Sequence, residues 1–199
     1  MVKPTKLFWN ASKHVLRYLR GTSGYGLWYR QKYEVKLCGF TDTDWAGSPM
    51  DRKSTSGGVF NIGSIAVSWY SRKQRSVALS LAEAEYMAAS LAACEAIWMR
   101  KIPVGFFGSH LDPIVIYCDN KSCIKLSANP VFHDRSKHID IRYHHIGDCV
   151  QRRIMLLSYI PTEDQDVDIL TKALTKSKFE YHRGKTGVAD NPYLVERES

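Results

Sequence analysis

Two short apolar runs in this 199-residue sequence end on carboxylates. Phe40-Thr41-Asp42-Thr43-Asp44-Trp45 closes one, and Ile114-Val115-Ile116-Tyr117-Cys118-Asp119-Asn120 closes the other. If the runs are neighbouring parallel strands, their terminal aspartates lie together at the edge of a sheet, where open α/β sheets bind their ligands. Two more acids have comparable settings: Glu85 near the start of a long helical segment, and Asp168 in the acidic first half of a late helix. Four carboxylates brought together repel one another, and keeping them all ionised costs free energy unless cations are present. Hard oxygen donors with no nearby Cys or His pair favour Mg²⁺ or Mn²⁺ over Zn²⁺. Two such ions, about 3.5–4 Å apart, activate a water and stabilise the leaving oxygen in phosphodiester cleavage.

The elements that must position these acids follow from periodicity. Residues 7–20 read as a short amphipathic helix with a basic face and a stop at Gly21. Segments 24–31 and 35–42 look extended, and 47–54 is a polar turn-rich loop. Segments 58–62 and 65–71 flank Gly63-Ser64 as a hairpin, so 35–71 reads as an antiparallel meander. A long helix spans about 80–101, and at about 100° per residue Leu81, Ala84, Ala88, Leu91, Ala92, Met99 and Ile102 form one apolar stripe. Glu85 falls on the border of that stripe and Glu83 nearly opposite, so of these two Glu85 faces the sheet, as a metal ligand or as the partner of a basic side chain; Glu95 also lies on the stripe, almost three turns further along. A strand at 114–118, a helix at 121–127, helical periodicity from within 134–152, a strand at 155–160 and a helix from Thr162 through Leu174 complete the order. Thr162-Glu163-Asp164-Gln165 has capping-box spacing. Asp164 and Asp168 share a face of that last helix while Asp166 turns toward the apolar one, so spacing alone leaves the fourth acid open. The tail, 177–199, carries no core pattern, and the element order implies an α/β sandwich with a mixed sheet.

Composition bounds the rest. The chain is 44% hydrophobic and 24% charged, which suits a globular domain, and no apolar run approaches the ~20 residues of a membrane helix. Five cysteines, odd in number and never in a Cys-x-x-Cys pair, read as buried reduced thiols of an intracellular protein. A net charge of +8 favours a polyanionic partner such as nucleic acid. A basic chain with an acidic two-metal centre suits a nuclease.

Several ordered blocks carry a closer resemblance. Gly39-Phe40-Thr41-Asp42-Thr43-Asp44-Trp45-Ala46-Gly47, Arg52-Lys53-Ser54-Thr55-Ser56-Gly57-Gly58, Ser80-Leu81-Ala82-Glu83-Ala84-Glu85-Tyr86-Met87-Ala88, Tyr117-Cys118-Asp119-Asn120, Lys137-His138-Ile139-Asp140-Ile141-Arg142-Tyr143-His144, Pro161-Thr162-Glu163-Asp164-Gln165 and Asp168-Ile169-Leu170-Thr171-Lys172 together resemble the ribonuclease H domain of copia-type Gag-Pol polyproteins from LTR retrotransposons. The resemblance covers about residues 7–187.

It implies a ribonuclease H-like α/β fold: a five-stranded mixed sheet, its first three strands antiparallel, flanked by helices. It implies hydrolysis of the RNA strand of RNA–DNA hybrids during reverse transcription, with two Mg²⁺ ions (Mn²⁺ as substitute) on Asp42, Glu85, Asp119 and Asp168, and Asp44 a neighbour. Asp166 is a departure from a usually apolar position. Residues 1–34 then read as a reverse transcriptase remnant and lead-in, 35–176 as the ribonuclease H domain and 177–199 as a tail. Expected partners are the hybrid and the reverse transcriptase domain of the same polyprotein, with no membrane; the isolated domain is expected to be monomeric, in the cytoplasm (virus-like particles) or nucleus. Arg52, Lys53, Ser54, Lys73, Gln74, Asn120, Lys137, His138 and Arg142 are the expected substrate contacts, each weighed against plain surface solvation. Cellular ribonucleases H carry a histidine before the last helix that Tyr159-Ile160-Pro161-Thr162-Glu163 lacks; His138 is a substitute, set against a structural role. The alternative to an enzyme is a catalytically silent nucleic-acid-binding or scaffolding relic.

Overall fold

The structure is a computed structural model describing residues 5–29, 36–63, 65–107, 112–128 and 145–190. Strands β2 (Leu37–Asp44), β3 (Thr55–Ile62), β4 (Ile65–Lys73), β5 (Ile114–Cys118) and β6 (Met155–Tyr159) build one mixed sheet in the order β4-β3-β2-β5-β6, after the short β1 (Tyr25–Leu27). β2, β3 and β4 are antiparallel and β5 joins β2 in parallel, as expected from the sequence, and β6 extends the sheet in parallel beyond β5. A parallel β2–β5 pair needs a crossover, and α2 (Leu81–Phe107) supplies it. Phe40 lies opposite Tyr117 in that pair, with the rings stacked at 5.1 Å between centroids. Asp42 and Asp119 each follow two residues later, so the register delivers both to one edge.

α2 is more deeply enclosed than a single stripe requires: residues 83–90 are all buried. Alanines 84, 88, 89, 92 and 93 give the backbone a thin profile on several sides, letting sheet and helices close around it. Glu83, on the face opposite the stripe, is buried because it finishes the helix start. Its N–H donates to Ser80 Oγ (3.2 Å) and its Oε2 accepts from Leu79 N (3.0 Å), a capping box displaced by one residue. α3 (Lys121–Ala128) and α4 (His145–Gln151) pack on the same side, around Phe60, Met87, Ile116, Ile146 and Met155. The opposite face holds a smaller cluster of Phe40, Val59, Ala66 and Val167 under Leu170.

The C-terminal third departs from expectation. Instead of one helix from 162 to 174, a 3₁₀ turn (Thr162–Asp164) precedes a single α-turn, α5 (Asp168–Thr171). The Thr162 hydroxyl does not cap; it donates to Asp119 Oδ2 at 2.8 Å, while buried Gln165 donates Nε2 to Thr41 O at 3.0 Å and folds the chain onto β2. The tail contains α6 (Lys176–Lys185) and β7 (Val188–Asp190), which pairs antiparallel with β1. Its inward stripe includes His182 and Thr186, both buried, and polar residues at those positions hid the periodicity. α1 (Lys6–Gly21) matches the expected amphipathic helix and has no buried residue. No described helix is long and apolar enough to cross a membrane.

One glycine sets how closely α5 approaches the sheet. Gly57 stands opposite Asp42, and a Cβ there would sit 2.5 Å from Val167 Cγ1 and 2.6 Å from Thr171 Cγ2. Gly57→Val is therefore expected to push α5 outward and to cost about 1–3 kcal/mol, read as a lowered urea midpoint.

Candidate metal centre

Asp42 enters from β2, Glu85 from the second turn of α2, Asp119 from the residue after β5 and Asp168 from the start of α5. Asp42 is 1% exposed, Glu85 3%, Asp168 7%, and Asp119 is half-buried. The Lys172 ammonium bridges two of them, 3.2 Å from Asp42 Oδ1 and 3.0 Å from Asp168 Oδ1. The Thr171 hydroxyl donates to Asp42 Oδ2. One turn of helix thus supplies an acid, a hydroxyl and a cation to the same point.

Glu85 lies on the other side of this group. A carboxylate oxygen of Glu85, one of Asp119 and the Cys118 sulfur all lie within 4.8 Å of one another. Glu85 Oε2 is buried with no hydrogen-bond partner. An orphaned buried oxygen is costly unless it is protonated or reaches a cation.

The electrostatics agree with convergence. Burial pushes the Asp42 carboxyl up to about 6, against Lys172 and Thr171 pulling it down, with Asp168 and Asp119 adding to the rise. Burial, then Cys118, Asp42 and Asp119, push Glu85 up to about 10. The Lys172 ammonium is held above its usual range: burial opposes its charge, but Asp42 and Asp168 outweigh it.

The fourth acid, open on spacing, is separated here by contacts. Asp166 is 2% exposed but belongs to another cluster, 3.1 Å from His182 Nδ1 and 3.1 Å from Lys185 Nζ. Asp164 pairs with Lys185 at 3.5 Å. Asp168 alone of the three shares a cation with Asp42. Asp44, two residues from Asp42, turns away and accepts from the Thr55 N–H with Oδ1.

The expected substrate contacts divide. Arg52 and Lys53 lie on the loop after β2, and Lys73 reaches the same corner, 2.9 Å from Asp51 Oδ1 and 3.1 Å from Ser48 Oγ. Ser54 and Gln74 need correction as surface contacts. Ser54 is fully buried, its Oγ accepting from Ala46 N at 2.9 Å. Gln74 is 3% exposed and spends Nε2 on Ser56 Oγ and Ala84 O, both 2.9 Å, clamping β3 to α2. Asn120 caps α3, its Oδ1 accepting from Cys123 N at 2.9 Å. Lys137, His138 and Arg142 lie outside the described residues.

Sequence reasoning missed Thr162, Thr171, Lys172 and Cys118. Lys172 had a signal, its i,i+4 spacing from Asp168. Cys118 stands beside Glu85 and Asp119, a sulfur neighbour that the sequence reading did not place there. A cavity of about 290 Å³ opens beside Asp168, lined also by Thr162, Glu163, Lys178 and His182. A larger one, about 360 Å³, is lined by Tyr18, Leu27, Trp69, Leu170 and Phe179 and by none of the four acids, so size does not mark the chemistry.

Lys172 holds two buried carboxylates together when no divalent ion is bound. Lys172→Met is expected to lower the melting temperature in EDTA by several degrees at pH 7 or above, and the loss should shrink when Mn²⁺ is added. Differential scanning calorimetry with and without Mn²⁺ checks this.

No family model matches the chain. It is 41% identical over 188 residues to the retrovirus-related Pol polyprotein from transposon TNT 1-94 of Nicotiana tabacum, covering 94% of this chain and 14% of that protein. It is 40% identical over 194 residues to the corresponding polyprotein from transposon RE2 of Arabidopsis thaliana, covering 96% of this chain and 13% of that one. Among solved structures it is similar to LC11-RNase H1 isolated from compost, at 16% identity and a TM-score of 0.48 over 68% of this chain and 92% of that one. A second structure of LC11-RNase H1, in complex with RNA/DNA hybrid, gives a TM-score of 0.43 at 16% identity over 68% of this chain and 94% of that one. The polyprotein matches run nearly the whole chain while the chain spans only 13–14% of those relatives' length, so the chain is similar to one segment of retrovirus-related Pol polyproteins from transposons.

Proposed function

We propose that this chain is the ribonuclease H unit of a retrotransposon Pol polyprotein, an endoribonuclease that hydrolyses the RNA strand of RNA–DNA hybrids with two divalent ions. The observation that carries the reading is convergence. Asp42, Glu85, Asp119 and Asp168 come from four separate elements to one edge of the sheet, and Glu85 Oε2 is buried there without a partner. The donor set fits Mg²⁺ or Mn²⁺, which prefer carboxylate oxygen. Bound there, the ions would supply a nucleophilic water and a counter-charge for the leaving oxygen. Asp42, Asp168, Glu85 and Asp119 would hold them.

The chain's own groups do the rest. Thr171 orients Asp42 through Oδ2, and Thr162 orients Asp119 through Oδ2. Lys172, whose side chain is 36% exposed, can leave the two carboxylates and place its charge on a backbone phosphate. Arg52, Lys53 and Lys73 form a basic corner beyond the carboxyl end of β2, suited to the hybrid's phosphates. An A-form-like hybrid is recognised by shape and 2′-hydroxyls, so little base preference is expected.

The test is cleavage of labelled RNA–DNA hybrid, RNA duplex and DNA duplex in Mg²⁺ or Mn²⁺. Cutting confined to the RNA strand of the hybrid, absent in Asp119→Asn, is the expected result. An intact hybrid across a wide range of metal concentrations would leave the silent binding module as the better reading.

A further inference from the structure

Cys118 has no part in the function just proposed, yet its surroundings are those of a ligand. The strand alternation of β5 turns Ile114, Ile116 and Cys118 to the α2 side, and Cys118 is fully buried. Glu85 descends from α2 onto that face, and Asp119 follows Cys118 in the chain. Among the described residues, these three form the one group able to offer three ligand atoms to a single ion, all within 4.8 Å of one another. Independently, Glu85 is 3% exposed and its Oε2 has no hydrogen-bond partner. The Cys118 sulfur accepts from Asn120 N at 3.4 Å and also meets the buried Cys123 thiol, contacts that hold it in place.

From this geometry we infer that Glu85, Cys118 and Asp119 form a mixed thiolate–carboxylate site for a borderline or soft divalent cation, Zn²⁺ or Cd²⁺. The inference rests on the carboxylate reading above and adds a sulfur donor to it. Thiolate ligands favour Zn²⁺ and Cd²⁺ strongly and Mg²⁺ hardly at all, so one thiol changes which ion wins at shared carboxylates. Binding replaces the Cys118 S–H bond with a sulfur–metal bond, and the proton passes to solvent. Asp119 is half-buried, giving the ion a route from the sheet edge. Zn²⁺ would then occupy two of the acids that Mg²⁺ requires, and act as an inhibitor.

The probe is Cd²⁺ titrated into the full chain carrying Cys38→Ser and Cys94→Ser, which removes the exposed and half-buried thiols. Thiolate-to-cadmium absorption in the ultraviolet reports sulfur ligation directly, and calorimetry with Zn²⁺ and Mn²⁺ reports affinity. The expected result is a saturable absorption band at one ion per chain, lost in Cys118→Ser and in Cys118→Ala. Zn²⁺ affinity should fall at least about tenfold in both variants while Mn²⁺ affinity stays within about threefold. Saturable Cd²⁺ or Zn²⁺ binding without the band, or with the band intact in both Cys118 variants, overturns the inference and leaves the carboxylate centre standing. Failure of Mn²⁺ as well as Cd²⁺ to bind overturns the centre itself, and the inference with it.

Discussion

Asp42→Asn is expected to cut hydrolysis of an RNA–DNA hybrid by at least about 10³-fold, whereas Asp44→Asn, two residues away, should stay within about tenfold of wild type. The contrast follows from where each carboxyl points. Asp42 is 1% exposed, takes Thr171 on one oxygen and Lys172 on the other, and its charge is felt by Glu85 as well as by Asp168's side of the group. Its charge acts on Asp168's side and on Glu85 alike, so on the proposed two-ion reading losing it would weaken both cation positions together. Asp44 spends Oδ1 on the Thr55 N–H at the mouth of the β2–β3 loop, a bond that asparagine can keep with its own Oδ1. Steady-state cleavage of end-labelled hybrid measures both variants. Equal loss in the two, with folding intact by circular dichroism, would show that the first acid of the motif has been misassigned.

The preference for Asp42 over Asp44 comes from the family resemblance, because residues two apart share one face of a strand; what strand arithmetic supplies is the meeting of Asp42 with Asp119. Alternation fixes the face, the apolar runs fix the parallel partners, and Phe40–Tyr117 pairing then carries Asp42 and Asp119 to one edge. Helical phase was equally informative for Glu85, since two residues, about 200° around α2, separate a sheet-facing carboxylate from one that closes the helix start. It failed for the last acid because α5 is only four residues long, too short for a period to mean anything. There Asp168 comes beside Asp42 through a contact across 130 residues, Lys172 to Asp42, which no local pattern contains.

Ser54 and Gln74 were misplaced for a related reason. Polar residues beside a basic run read as surface, but both are interior braces: Ser54 accepts from Ala46 N in the turn after β2, and Gln74 donates to Ser56 of β3 and Ala84 of α2. Cys118 was read correctly as a buried thiol. What alternation could not supply was its neighbour, because Glu85 arrives from a different element on the far side of the crossover. α6 stayed hidden by a substitution of polarity for shape: His182 occupies an inward position usually given to an apolar side chain, and its hydrogen-bond partner is Asp166, the residue that departs from its usual apolar type.

In EDTA the protein is expected to lose stability as pH rises from about 4 to about 10, and Glu85→Gln should abolish most of that slope. The sign follows from proton binding. Asp42 moves from an ordinary 3.8 to about 6 on folding, and Glu85 from 4.5 to about 10. Both folded carboxyls keep protons that the unfolded chain has released, so their contribution is complete below the unfolded values and is lost as pH climbs through the folded ones. For Glu85 the 2.5 pH units between 4.5 and 7 correspond to an upper bound of about 3 kcal/mol. Glutamine is the neutral shape of the same side chain and escapes that loss, although its amide N–H meets the spot where Oε2 already lacks a partner, which costs about 1 kcal/mol. A net gain of about 1–2 kcal/mol at pH 7, turning into a net loss of about 1 kcal/mol near pH 4, is therefore expected, together with loss of hybrid cleavage. Divalent metal should reverse the order. Mn²⁺ binding to wild type must expel the Glu85 proton, so its affinity should rise with pH and its calorimetric heat should depend on the buffer's ionisation enthalpy. Urea denaturation in EDTA from pH 4 to 9, run beside Mn²⁺ calorimetry, gives both readings; parallel pH curves for wild type and Glu85→Gln would mean that Glu85 is paired with a cation of the protein and does not await one from solution.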